Sequence, residues 1–108
     1  MNYKVRSIYY FEKELKKLTK KYPSLRNEYN NLIQGLEKNP KQGRTIGKGC
    51  YKIRLAIQSK GKGKSGGARV ITYVAVIKQE VFLLTIYDKS ETESISKKEL
   101  EELLEEIN

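Results

Sequence analysis

The sequence has no histidine and no tryptophan, and it holds one cysteine, Cys50, and two prolines among 108 residues. The absence of histidine removes the usual acid and base of neutral-pH catalysis. With a single cysteine besides, a zinc site of the usual ligand set is excluded, and so is an intrachain disulfide. No apolar run approaches the length of a membrane span, and MNYKVRSIYY lacks the apolar centre of a secretory signal. The expected location is therefore the cytoplasm, with no membrane contact, and a lone cysteine fits that reducing compartment. Cys50 reads as small, incidental packing. Neither a resident metal nor a cofactor is expected.

What the chain has in quantity is positive charge. Its formal net charge is +9, and hydrophobic residues make up 38% and charged residues 32%. Those proportions describe one folded domain over residues 1–108 with a modest core. The charge is unevenly spread. Residues 1–54 carry 14 Lys+Arg against 4 acids, residues 55–90 carry 6 against 2, and residues 91–108 carry 2 against 7. A basic body with an acidic tail attracts a polyanion such as RNA, DNA or a ribosome.

The hydrophobic period changes along the chain. Tyr3 to Tyr9 alternates weakly and predicts a first strand, then Phe11, Leu15, Leu18 and Tyr22 recur at helical spacing. That helix must stop before Pro23, and a second helix follows with Leu25, Tyr29, Leu32, Ile33 and Leu36 as its stripe. The short connection makes the pair an antiparallel hairpin. From Asn39 to Gly49 the glycines and Pro40 predict turns without periodicity. Beyond Gly49 the period is two: Tyr51, Ile53, Leu55 and Ile57 share one strand face, and Lys52 and Arg54 share the other. Strands are predicted over Arg69–Ile77 and Glu80–Tyr87, joined by a hairpin at Lys78-Gln79, with the last strand central because both its faces are apolar. Ser96 and Glu99 form a capping box, with Ile95 and Leu100 as its staple, for a final helix lined by Leu100, Leu103, Leu104 and Ile107. The predicted class is α+β: a small antiparallel sheet carrying an N-terminal two-helix hairpin and a C-terminal helix, in the order β-α-α-β-β-β-α.

Between the first two strands of the second half lies SKGKGKSGGAR, residues 59–69. Its GKS, at Gly63 to Ser65, is not a phosphate-binding P-loop, because the first required glycine falls at Gln58 and a strand follows where a helix N-terminus is needed. The loop instead joins the strand of Lys52 and Arg54 to the strand opened by Arg69. If Val70, Val74 and Val76 face the core, Arg69 lies on the same open face, and three cations converge beneath a mobile basic loop.

CYKIRLAIQSKGKGKSGGARVITYV followed by VFLLTIYDKSE, after a helical hairpin ending in EKNP, resembles the RelE/HigB group of the RelE/ParE superfamily of bacterial toxins. The likeness covers nearly the whole chain. KGKGKSGGAR and LLTIYDKSE are its most specific parts. The resemblance implies a toxin held inactive by a cognate antitoxin of helix-turn-helix type, which cuts mRNA in the A site of the ribosome.

Such cleavage has the 2′-hydroxyl attack its own phosphate, so it calls for a base, an acid for the leaving 5′-oxygen, and cations around the phosphorane. The family's resource is a cluster of lysines and arginines, and clustering itself lowers a lysine's pKa. By the resemblance, Lys52 and Arg54 match the paired basic positions of the family's second strand, Arg69 the arginine on the scissile phosphate, and Lys89 the basic position closing the last strand. Lys60, Lys62, Lys64 and Tyr87 are the expected RNA contacts. The chain departs from the family in having Ser90 where some members have arginine, and in lacking a tyrosine in SETESISKKEL. Tyr87 and Tyr73 are the candidate replacements for the proton donor. Two other readings stay open: a ParE-like toxin that binds DNA gyrase without chemistry, and a silent module that adsorbs RNA.

Overall fold

The computed structural model describes residues 2–61 and 63–107. Strand β1 (Lys4–Ser7) leads into helix α1 (Tyr9–Lys21) and helix α2 (Leu25–Lys38). Both helices are capped by the residue before a proline. Tyr22 and Asn39 leave the helical region, with φ −126° and ψ 92° in one and φ −134° and ψ 82° in the other, because the following proline ring disfavours the helical conformation there. Strands β2 (Arg44–Gly47), β3 (Cys50–Leu55), β4 (Ala68–Ala75) and β5 (Glu80–Asp88) follow, then helix α3 (Lys97–Glu105). At the start of α3 the capping box forms as its sequence requires: Ser96 Oγ accepts from the Glu99 amide at 3.1 Å, and Glu99 Oε1 accepts from the Ser96 amide at 3.1 Å. Among the described residues no helix is long and apolar enough to cross a membrane.

The five strands form one sheet in the order β1-β5-β4-β3-β2. All neighbours pair antiparallel except β1 with β5, which run parallel, so the sheet is mixed rather than wholly antiparallel. Two local details also depart from expectation. Residues 44–47, read as turns, form an edge strand that pairs with β3. Lys48 and Gly49 join the two with φ of 57° and 77°, as a two-residue turn matched to strand twist requires. The β4–β5 hairpin is longer than two residues. Its strands end at the pair Ala75 and Glu80, which leaves Val76 at 53% and Ile77 at 99% exposure in the loop rather than in a strand.

Strand β5 is interior, as its apolar character predicts, though β4 is the middle strand. It also carries a bulge. Ile71 pairs with Thr85 but Thr72 with Leu83, so Leu84 is an extra residue. One face of the sheet holds Ile53, Val70, Val74, Val81, Leu83 and Ile86, all buried with Phe11, Leu18, Leu25, Leu32 and Leu36 of the helical hairpin. The opposite face is crossed by α3, whose Leu104 lines a groove with Ile107, Tyr73 and Phe82. The rest of that face carries the charge.

Candidate functional site

Strand register builds the site. Arg54 of β3 stands directly opposite Arg69 of β4, and Arg69 directly opposite Tyr87 of β5. In an antiparallel sheet such partners project to the same side with Cβ atoms about 5 Å apart. Two residues back along β3, on the same face, Lys52 is paired with Ile71 on one side and with Arg44 of the edge strand on the other. The structure thus places Arg44, Lys52, Arg54, Arg69 and Tyr87 on one face. Arg44 was not foreseen, because RTIG between glycines is too short to show a period of two.

The cations differ in access. Arg54 is exposed and Lys52 half-buried, but Arg69 is only 5% exposed. Its Nη1 donates to the Lys64 carbonyl at 2.8 Å and to the Ala68 carbonyl at 3.1 Å. Arg69 thus shares the face of Lys52 and Arg54 as expected, and it is enclosed there, held by the Lys64 carbonyl of the loop and the Ala68 carbonyl at the start of β4. Val70 and Val74 face the core as anticipated, while Val76 does not. Lys89 lies one residue past β5. Its amide donates to the Gly67 carbonyl at 3.0 Å, and its ammonium donates to the Glu93 carbonyl at 3.4 Å.

Tyr87 has a buried hydroxyl with no hydrogen-bond partner among the described residues. Burial pushes its pKa up, Arg69 pulls it down, and Glu99 of α3 pushes it up again. Beside it opens a cleft of about 420 Å³ whose lining includes Tyr10, Glu14, Glu99, Glu102 and Glu106. The cationic row thus has carboxylates along its α3 side. Tyr73, the other candidate donor, is paired with Phe82 and Cys50 further along the face, where Tyr73 and Phe82 rings lie 6.3 Å apart. It is remote from Arg69 by four residues of strand. Cys50 is fully buried, and burial raises its thiol pKa to about 11, so it packs and does not react.

The loop lysines separate. Lys64 is exposed. Lys62 lies outside the described residues. Lys60, expected as an RNA contact, turns inward: its side chain is 8% exposed and its ammonium pairs with Asp88, whose side chain is 1% exposed. The same ammonium donates to Ser90 Oγ at 2.9 Å and lies 5.5 Å from the centre of the Tyr22 ring. Asp88 also accepts from the Tyr22 hydroxyl at 2.8 Å and from the Ser90 amide at 3.0 Å. Burial alone would raise the Asp88 pKa, but the hydrogen bonds from Lys60, Ser90 and Tyr22 outweigh it and hold the carboxyl well below the usual range. Sequence reading missed this cluster because its members lie far apart along the chain and only the fold unites them.

Residues 8–107 match the family model described as the RelE toxin of the RelE/RelB toxin-antitoxin system. The fold is similar to that of a doubly substituted, arginine-to-alanine mutant of the Escherichia coli toxin RelE in the free state, with a TM-score of 0.65 and 19% identity, covering 100% of both chains. The isolated E. coli RelE toxin gives a TM-score of 0.61 at 20% identity, covering 98% of this chain and 99% of that one.

Proposed function

The chain belongs to the RelE toxin family, and from that premise we propose that it is the toxin of a type II toxin-antitoxin module, restrained by a cognate antitoxin, that cleaves mRNA in the ribosomal A site without a metal ion. The observation that carries this reading is the row Arg54, Arg69, Tyr87 across three adjacent strands. Two guanidiniums side by side suit a phosphate whose negative charge grows in the transition state, since each offers a planar pair of donors. Tyr87 is the proton donor in this scheme. Its hydroxyl has no partner among the described residues to give up, and its raised pKa keeps the proton until the 5′-oxygen leaves.

The reaction then balances within the RNA. The 2′-hydroxyl passes its proton to a water molecule and bonds to phosphorus, the bond to the 5′-oxygen breaks, that oxygen takes the Tyr87 proton, and solvent returns a proton to Tyr87. A cyclic phosphate and a 5′-hydroxyl result. With no histidine in the sequence, alignment of the 2′-hydroxyl with its own phosphate falls to the ribosome, which holds this intramolecular attack in line. The carboxylates around the cleft beside Tyr87 repel a phosphate backbone, so the message approaches over Arg44, Lys52 and Arg54.

Primer extension after induced expression tests the reading. Cuts are expected within coding frames and only on RNA engaged by ribosomes. Equal cutting of naked RNA overturns the A-site mechanism, and a replication block with DNA damage instead of cuts favours gyrase binding.

A further inference from the structure

Both ends of the basic loop meet at one residue. At the entry, Lys60 closes a short 3-10 turn (Gln58–Lys60) and sends its ammonium to the Asp88 carboxylate. At the exit, Ala68 is the strand partner of Asp88 itself, and the next amide, that of Lys89, bonds to the Gly67 carbonyl. Gly67 is packed so closely that a Cβ there would lie 2.2 Å from the Leu55 carbonyl oxygen, so the exit has little room to shift. The entry turn is tied to α2 as well. The Ser59 amide donates to Ser24 Oγ at 2.9 Å, and the Gln58 amide to Glu28 Oε2 at 2.5 Å.

A loop of lysine and glycine has no means of its own to hold a shape. Here it is drawn shut by a buried ion pair, and between its pinned ends lies the Lys64 carbonyl that binds Arg69 Nη1. Buried ion pairs contribute little to fold stability in general, because desolvation offsets their attraction. Their geometric effect is another matter. Asp88 and the row face opposite sides of the sheet, since Asp88 follows Tyr87 in the strand and meets Tyr22 of the helical hairpin.

We propose that Asp88 and Lys60 form a clamp that sets the loop, and through the Lys64 carbonyl the Arg69 guanidinium, in position for the scissile phosphate. Asp88 is a positioning residue that acts through Lys60 from the helix side and never touches RNA. The effect on rate rests on the ribonuclease reading above; the effect on the loop does not.

The test uses the full chain carrying Lys60→Met, Asp88→Asn or both. In Lys60→Met the carboxylate keeps its bonds from Tyr22 and Ser90, so this variant folds even where Asp88→Asn does not, and it then decides alone. Tryptic nicking after Lys64, well below each protein's melting midpoint, reports the loop. It is expected to be on the order of tenfold faster in Lys60→Met than in the wild type, because the closed state is less populated. On programmed ribosomes at saturating protein, single-turnover cleavage falls on the order of tenfold while half-saturation moves by less than about threefold. The double variant matches Lys60→Met within about twofold, as expected if Asp88 works through Lys60, and Lys60→Arg recovers most of the rate. Wild-type nicking in folded Lys60→Met overturns the clamp. So do rate and affinity falling in equal proportion to a loss of folded protein. A wild-type chain that cuts no message sinks the ribonuclease reading, and nicking still decides the clamp.

Discussion

The two faces of the sheet are made by the same strands and behave oppositely. On β4, Val70 and Val74 are sealed under the helical hairpin, while Arg69 and Tyr73 point to the other side. On β3, Ile53 is buried between Lys52 and Arg54. Alternation lets a 108-residue chain put its core and its charge within one strand without either compromising the other. The lesson is that substitutions one residue apart should have separable consequences, in stability on one side and in chemistry on the other.

The largest effect expected is on the covered face. Leu83, fully buried, should cost about 2–5 kcal/mol of stability when changed to alanine, through lost burial and the cavity left behind. Chemical denaturation measures that loss, and cleavage per folded molecule should not change. If the rate falls as well, the two faces are not independent. On the charged face, Arg69→Ala should lower single-turnover cleavage on the order of a hundredfold to a thousandfold, the usual loss for one donor to a developing anion. Arg69→Lys should recover only part, because an ammonium offers no planar fork. Because Arg69 also holds the Lys64 carbonyl, some loosening of the loop should accompany the alanine variant. A folded Arg69→Ala protein that still arrests growth at wild-type potency removes Arg69 from the chemistry.

Acid provides a third probe, acting where the two faces meet. The Asp88 carboxyl is held below its unfolded value by Lys60, Ser90 and Tyr22 against the cost of burial. Its contribution to stability is therefore complete above the unfolded pKa, near 4, and is lost as pH falls from there towards the lower folded value. Melting curves between about pH 5 and 2 should drop more steeply for the wild type than for Asp88→Asn. Parallel curves would mean the carboxylate is not held by those partners. Ser96→Ala, which removes one half of the capping box, should lower stability by about 1 kcal/mol and fray α3. Cleavage per folded molecule should fall far less than in Arg69→Ala, since Ser96 lies outside the row, although Glu99 of α3 borders the cleft beside Tyr87. The smallest effect belongs to Lys64→Ala. It should reduce the salt slope of RNA association by about 0.7, as one phosphate contact to a single strand is lost. An unchanged slope leaves Lys64 a solvated loop residue.

Much of this organisation can be read before folding. The first two helices are legible because their apolar spacing is strong and each meets a proline at its end, and α3 because Ser96 and Glu99 sit three residues apart. Lys52 and Arg54 are assigned to one face by a period of two and nothing more. Other features escape. The edge strand of Arg44 consists of four residues among glycines, and it is stabilised by pairing with β3 rather than by its own pattern. Val76 and Ile77 look like strand residues and end in a turn, because the pairing of Ala75 with Glu80 closes the hairpin before them.

The bulge at Leu84 is the clearest decision taken in three dimensions. Simple alternation would send Phe82 and Tyr87, five residues apart, to opposite sides of the sheet. The extra residue returns them to one side, Phe82 beside Tyr73 and Tyr87 beside Arg69. Local sequence thus determined which residues are helical, where the helices stop, and that cations lie on one face of β3. Only the tertiary structure decided that Tyr87 joins that face, that Arg69 is enclosed rather than open, and that Lys60 turns inward to Asp88. The physical reason is that strand register and the desolvation of a charge are settled between segments about 20 or more residues apart, as with Lys60 and Asp88 at a separation of 28.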